Sequence, residues 1–226
     1  MKTFSYEEYK KIIDHYSICD FKEIGKEFTV LRHDVEFSPE RALKLAQINA
    51  ELNVQGTFFF QVFSDAYNAL SDNTKTFIYR ILDLNQKIGL HVYVATCFDW
   101  KGLEKEIVLQ KSILKTIINV DRLSFHRPKR WMLEKREDYI CDLLNVYGPS
   151  FFELGQPNKI KYFADSNHTW KYGHPLEIHN YKKIQLNLHV DSWSKEGELL
   201  NKLAHNLDKE HSDHFKKVMK QEAKHL

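Results

Sequence analysis

The chain is poor in residues that punctuate loops, with 8 glycines and 5 prolines among 226 residues. That excludes a linker-rich architecture. It also excludes a glycine-rich phosphate loop: Gly89 stands alone before His91, so nucleotide binding has no motif to rest on. Cysteine is scarce as well. Cys19, Cys97 and Cys141 are odd in number, widely spaced and without a CxxC pair. A disulfide framework and a zinc ribbon are thereby excluded, and reduced thiols are expected. Neither sign of charge prevails: 33 basic and 31 acidic side chains leave +2, and the basic residues are dispersed. Nucleic acid is therefore not an expected partner. No apolar run reaches the roughly 18 residues of a membrane span, and the opening Met1–Glu8 has no apolar core of signal-peptide length. Repeats and low-complexity segments are missing too. These absences predict a cytoplasmic globular protein.

What is present is material for a core, 42% hydrophobic and 13% aromatic. The length suits one large domain over residues 1–226. Ser5 and Glu8 form a capping box for an amphipathic helix to about Tyr16. A strand to Glu36 precedes a helix over 39–52, with Ser38 as N-cap and Pro39 at its first position. Thr57–Phe63 is a continuous apolar run, as expected of a strand buried on both faces. Helical spacing returns over 73–85, strand pattern over 88–93, helix over 103–118 and strand over 122–126. Another helix is expected over 133–147, short strands at 151–154 and 162–165, a last strand at 184–189, and a polar helical segment over 195–226. Strands alternating with helices indicate parallel βαβ units, in an open sheet or a barrel.

The chain is organised around Thr29-Val30-Leu31-Arg32-His33-Asp34-Val35-Glu36. In extended backbone Asp34 and Glu36 point to one face. Two adjacent carboxylates repel unless a cation or a shared proton relieves them. Asp34, Glu36, His91, His126, Asp165 and His189 all fall at or near C-terminal ends of expected strands. In a parallel barrel that end carries the active site. Carboxylates with two or more imidazoles suit a divalent transition metal such as zinc.

In order along the chain, His33-Asp34-Val35-Glu36, Thr57-Phe58-Phe59-Phe60, Ile88-Gly89-Leu90-His91, Ser124-Phe125-His126-Arg127-Pro128, Asp165-Ser166 with Trp170, and Leu188-His189 with Trp193 resemble the motifs of the polysaccharide deacetylases, carbohydrate esterase family 4. The nearest likeness is to a branch whose first motif reads His-Asp-Val-Asp/Glu. The resemblance implies a single deformed (β/α) barrel and a metal-dependent hydrolase that removes an N-acyl group, acetyl or formyl, from a sugar. Surface polysaccharide biosynthesis is the implied setting. Asp34 would be the general base, Glu36 and His91 metal ligands, Arg127 the cation holding the base ionised, and His189 the general acid supported by Asp165. Zinc is the expected metal, with cobalt or nickel as alternatives. Trp170 and Trp193 would either stack on the sugar or fill the barrel mouth as core.

Three positions depart from the family pattern. Ala95 stands where a second metal histidine is usual, Tyr93 where the branch would carry a carboxylate, and Val190 where a proline follows the closing histidine. His126 is then either the replacement ligand or a substrate contact, and the roles of Asp34 and Glu36 are exchangeable. The rival readings are a non-catalytic carbohydrate-binding descendant and an amidohydrolase-type enzyme, the latter disfavoured because the first strand lacks His-x-His. His168 and His174 flank an aromatic loop. His205, His211, His214 and His225 read as a solvated helix face rather than a second metal site.

Overall fold

A computed structural model describes residues 4–154 and 159–223; His225 lies outside them. Helix α1 (Tyr6–Asp14) and the short strand β1 (Ile18–Cys19) lead into β2 (Phe28–Val35). Then follow α2 (Pro39–Glu51), β3 (Thr57–Phe60), α3 (Asp72–Asp83), β4 (Lys87–Tyr93), α4 (Trp100–Leu114) and β5 (Arg122–His126). The chain continues through α5 (Arg130–Glu134), β6 (Tyr139–Ile140), β7 (Leu143–Asn145), β8 (Ile160–Ala164), β9 (Lys183–His189) and α6 (Leu200–Glu222). The caps are as the sequence predicts: Ser5 accepts from the Glu8 amide and Ser38 from the Arg41 amide, with Pro39 in the first turn of α2.

The strands form a mixed α/β sheet in the order β6-β7-β5-β4-β3-β2-β9-β8, with β1 beside β2. Every pairing is parallel except the β6–β7 hairpin. The sheet curls into a deformed half-barrel, and side chains join its two margins. Gln185 on β9 donates Nε2 to the carbonyls of Val146 and Phe151, each at 2.9 Å. Phe152 meets Tyr162 edge-on across the same seam. Alternation along β2 sends Leu31, His33 and Val35 toward the helices and Arg32, Asp34 and Glu36 to the opposite face.

Three expected elements differ. Residues 133–147 carry apolar side chains at Ile140, Leu143, Leu144 and Tyr147, the i, i+3, i+4, i+7 spacing of a helix. Residues 139–145 form a β-hairpin instead. Cys141 and Asp142 both take positive φ (49° and 63°), the geometry of a two-residue hairpin turn. Edge pairing of β7 with β5 then buries both leucines. Residues 151–154 turn rather than extend, because the Phe151 and Phe152 amides both close onto the Gly148 carbonyl. The terminal helix starts at Leu200 rather than Lys195, since Ser194 is held in a parallel bridge to Ser5.

Close packing in the interior leaves a test. A Cβ on Gly89 would lie 2.4 Å from the Phe59 ring, which is fully enclosed. Gly89→Ala is expected to cost about 1–3 kcal/mol, read as a lower midpoint in urea denaturation.

Candidate metal centre and acid–base pair

The interior-facing residues of β2 place charge in a stack. Arg32 is fully buried and grips Asp34 with two hydrogen bonds, Nε to Oδ1 at 2.8 Å and Nη2 to Oδ2 at 2.7 Å. The Arg32 guanidinium also lies over the Tyr147 ring. Burial raises the Asp34 pKa, but Arg32, with His91 and His189 nearby, outweighs it and holds the carboxyl below its ordinary value. Arg32, rather than the Arg127 that the family resemblance implies, is the cation that holds Asp34 ionised. Arg127 takes a positive φ of 51° and lines the cleft, and its guanidinium makes no ion pair with a described residue. The spacing could have revealed this, because Arg32 sits two residues before Asp34 on the same strand face. Replacing Arg32 with Leu would leave Asp34 buried and unpaired. A loss of about 3–5 kcal/mol is expected, measurable by denaturant titration.

Glu36, His91 and His126 bring one ligand atom each within 4.8 Å of one another. Glu36 Oε1 is 2.8 Å from His126 Nδ1 and 3.6 Å from His91 Nε2. Ligand atoms on a tetrahedral zinc lie about 3.3 Å apart, so little movement would close the set. His91 provides the fit test. Its Nδ1 lies 2.7 Å from Ser124 Oγ, and its buried Nε2 has no hydrogen-bond partner among the described residues. Burial pushes the ring below its ordinary pKa and keeps it neutral, with a lone pair to offer. Burial works against charge on Glu36 too. The His126 hydrogen bond, with His91 and His189 nearby, prevails and holds it far below the carboxylate range. A divalent cation suits this donor set. His126 stands in this group, and its ring stacks on Tyr93.

His189 stands beside Asp34 across the β2–β9 ladder, its Nε2 3.9 Å from Asp34 Oδ2. Its Nδ1 is 2.7 Å from Asp165 Oδ1. Burial alone would lower the imidazole's pKa, but Asp165, with help from Asp34 and Glu36, pushes it up to about 10. Asp165 is itself enclosed, accepting the His189 amide at 2.9 Å and the Trp193 indole N–H at 2.9 Å. Trp193 therefore helps fix the Asp165 carboxylate beside His189. It is fully buried and offers no face to a sugar, and Trp170, half-buried, packs on Phe4 at the edge of the core. Neither indole lines the cleft, so of the two readings packing fits their placement.

The cleft itself encloses about 400 Å³ above these groups, within the range of small-ligand sites. Two of its walls went unread in the sequence. Leu200, Leu203 and Leu207 of α6 form one, so the terminal helix is part of the site. Arg41 clamps that helix through Glu210 at 2.7 Å. Asp191 contributes to another. Its carboxylate accepts the Phe37 and Ser38 amides at 3.1 and 2.8 Å, and burial pushes its pKa up to about 7 against the pull of those bonds.

The other histidines have separate placements. His33 faces the helices, bonded to Tyr9 Oη at 3.0 Å and driven to a pKa of about 3 by burial, which makes it structural. His168 lines the cleft with Nε2 on the Glu198 carbonyl, and His174 pairs with Glu8. His205, His211 and His214 are exposed along α6.

No protein-family model matches the chain, and no curated protein matches it. Among solved structures it is similar to a family 4 carbohydrate esterase from Bacillus anthracis, with a TM-score of 0.48 and 18% identity over 89% of this chain and 84% of that one. Among the described residues no helix is long and apolar enough to cross a membrane. Cys19, Cys97 and Cys141 are unpaired thiols.

Proposed function

We propose that the protein is a metal-dependent hydrolase that removes an N-acyl group from an amino sugar. The observation that carries this is one cleft shared by three things: the Glu36–His91–His126 donor set, the Arg32-held carboxylate of Asp34, and the Asp165-held imidazole of His189. An amide is a weak electrophile with a poor leaving group, so its hydrolysis needs a polarised carbonyl, a proton acceptor and a proton donor. A divalent cation, zinc first and cobalt or nickel as alternatives, would supply Lewis acidity and a more acidic bound water. Glu36, His91 and His126 would hold it.

The remaining work falls to the chain's own groups. Glu36 is the ligand and Asp34 the base, because Glu36 Oε1 faces His91 Nε2 while Asp34 Oδ1 lies toward Nδ1 at 3.8 Å and is turned into Arg32. Held ionised, Asp34 accepts a proton from the attacking water. His189 keeps Nδ1 on Asp165 and donates from Nε2 to the departing amine. A carbohydrate-binding descendant would need neither proton mover, and neither indole suited to sugar stacking lines the cleft. The three free thiols accord with a reducing, cytoplasmic setting. Surface polysaccharide synthesis is the pathway that the motif resemblance implies.

The test is acid release. Purified protein loaded with zinc, cobalt or nickel should liberate acetate, formate or a related acid from a panel of N-acylated amino sugars. Failure across that panel with every metal would remove the proposal.

A further inference from the structure

Below the acid–base pair, the half-barrel holds polar atoms that the fold leaves unmatched. Gln185, Asn187 and His189 share one face of β9. Across the ladder His189 stands opposite Asp34, and Asn187 opposite Arg32. A step of two residues, about 6.6 Å, therefore separates the proton movers from a deeper layer. In that layer Gln185 Oε1, Asn187 Oδ1 and Arg32 Nη1 are buried without hydrogen-bond partners among the described residues. Buried acceptors in native proteins are nearly always matched by protein, water or ligand. Asn187, only 2% exposed, is the member of this trio that lines the cleft. Its Nδ2 donates to Tyr162 Oη at 2.8 Å, so the amide is locked with its carbonyl oxygen as the free end. Tyr147 and Tyr162 complete the floor.

We propose that this floor is the acyl pocket and that it selects an acyl group carrying a hydroxyl: the substrate is a hydroxyacyl amide of an amino sugar, in preference to the acetyl or formyl amide. The inference rests on the deacylase reading and narrows it. The sugar is bulky and continues into its conjugate, so it occupies the open mouth beside α6. The acyl substituent is the substrate's free end, and only a free end enters a closed floor. A methyl group there leaves Asn187 Oδ1 without a donor, whereas a hydroxyl supplies one. Sites built to pair with a hydroxyl discriminate against its absence far more strongly than apolar pockets discriminate one methylene.

Glycolate and propionate make a direct probe, since they have equal heavy-atom counts and exchange a hydroxyl for a methyl. Calorimetric titration into zinc-loaded protein should show glycolate binding at least tenfold more tightly. Asn187→Leu should reverse the order, and Tyr162→Phe, which frees the amide to turn, should narrow the gap. Asn187→Ala serves the same purpose if the leucine variant does not fold. Equal affinities in the unaltered protein overturn the proposal. So does a glycolate preference that survives loss of Asn187, which would place the hydroxyl on the cation. Acetate released as fast as glycolate from matched amino-sugar amides overturns this inference and leaves the deacylase reading intact. A glycolate preference lost with Asn187, but no acid released from any amide, keeps the pocket and removes the reaction.

Discussion

His91→Ala is expected to abolish both metal retention and turnover. His91 is the most enclosed of the three donors, at 1% exposure, and its Nε2 is aimed at Glu36 with nothing else to bind. Removing it leaves Glu36 and His126, and a two-donor site holds a divalent ion far more weakly than a three-donor one. Elemental analysis after dialysis should find less than a tenth of the metal of the unaltered protein. The rate of acid release should fall by about 10³-fold or more, the scale on which removing an essential electrostatic group from a site is felt. The fold should survive, because His91 itself lines the cleft and solvent can enter the space its side chain leaves. A variant that keeps full metal and full rate would refute the ligand assignment. Ser124→Ala is a milder companion, since it frees the His91 ring to turn without deleting the donor.

Much of this site was legible because its residues lie at strand ends, where period-two alternation and an abrupt change from apolar to ionisable residues mark the boundary. Asp34, Glu36, His91, His126, Asp165 and His189 were all placed that way, and the structure gathers them. The same alternation pointed to Arg32. A family pattern in which an Arg-Pro motif holds the base drew the assignment to Arg127 instead. The indoles stayed open for a different reason: an aromatic near a catalytic motif reads equally as platform or as packing, and burial, which decides between them, depends on tertiary context. Residues 133–147 show the same limit. Their apolar spacing fits a helix turn for turn, yet the sheet edge offered by β5 and the left-handed turn at Cys141-Asp142 prevail. The cleft-lining role of α6 and the amide-pinning role of Asp191 arise from contacts more than 150 residues apart in sequence, which no local pattern encodes.

The charge state of His189 carries the second large effect. With Asp165 beside it the imidazole titrates at about 10, so His189, the proton donor of the proposed reaction, is loaded throughout the neutral range. Asp165→Asn keeps the shape and a hydrogen-bonding carbonyl for the Trp193 indole, but it removes the anion that raises the pKa. Burial, the largest influence on this group, then acts unopposed by its nearest charge, and the pKa falls to the ordinary value of about 6.5 or lower. At pH 8 the protonated fraction drops from nearly all to about 3%. The expected kcat/KM at pH 8 is therefore lower by about 30-fold or more, while at pH 5.5 the two enzymes should differ much less. The alkaline limb of the profile, near pH 10 in the unaltered protein, should move down by about 3 units or more. Stability should follow the same sign. A group whose pKa is raised on folding stabilises the fold fully below its unfolded value and loses that contribution as pH rises through the folded value. The unaltered protein should accordingly weaken between about pH 6.5 and pH 10 through this group, and Asp165→Asn should be less stable at low pH and flatter across that window. An alkaline limb that stays in place in the variant would show that His189 is not the proton donor.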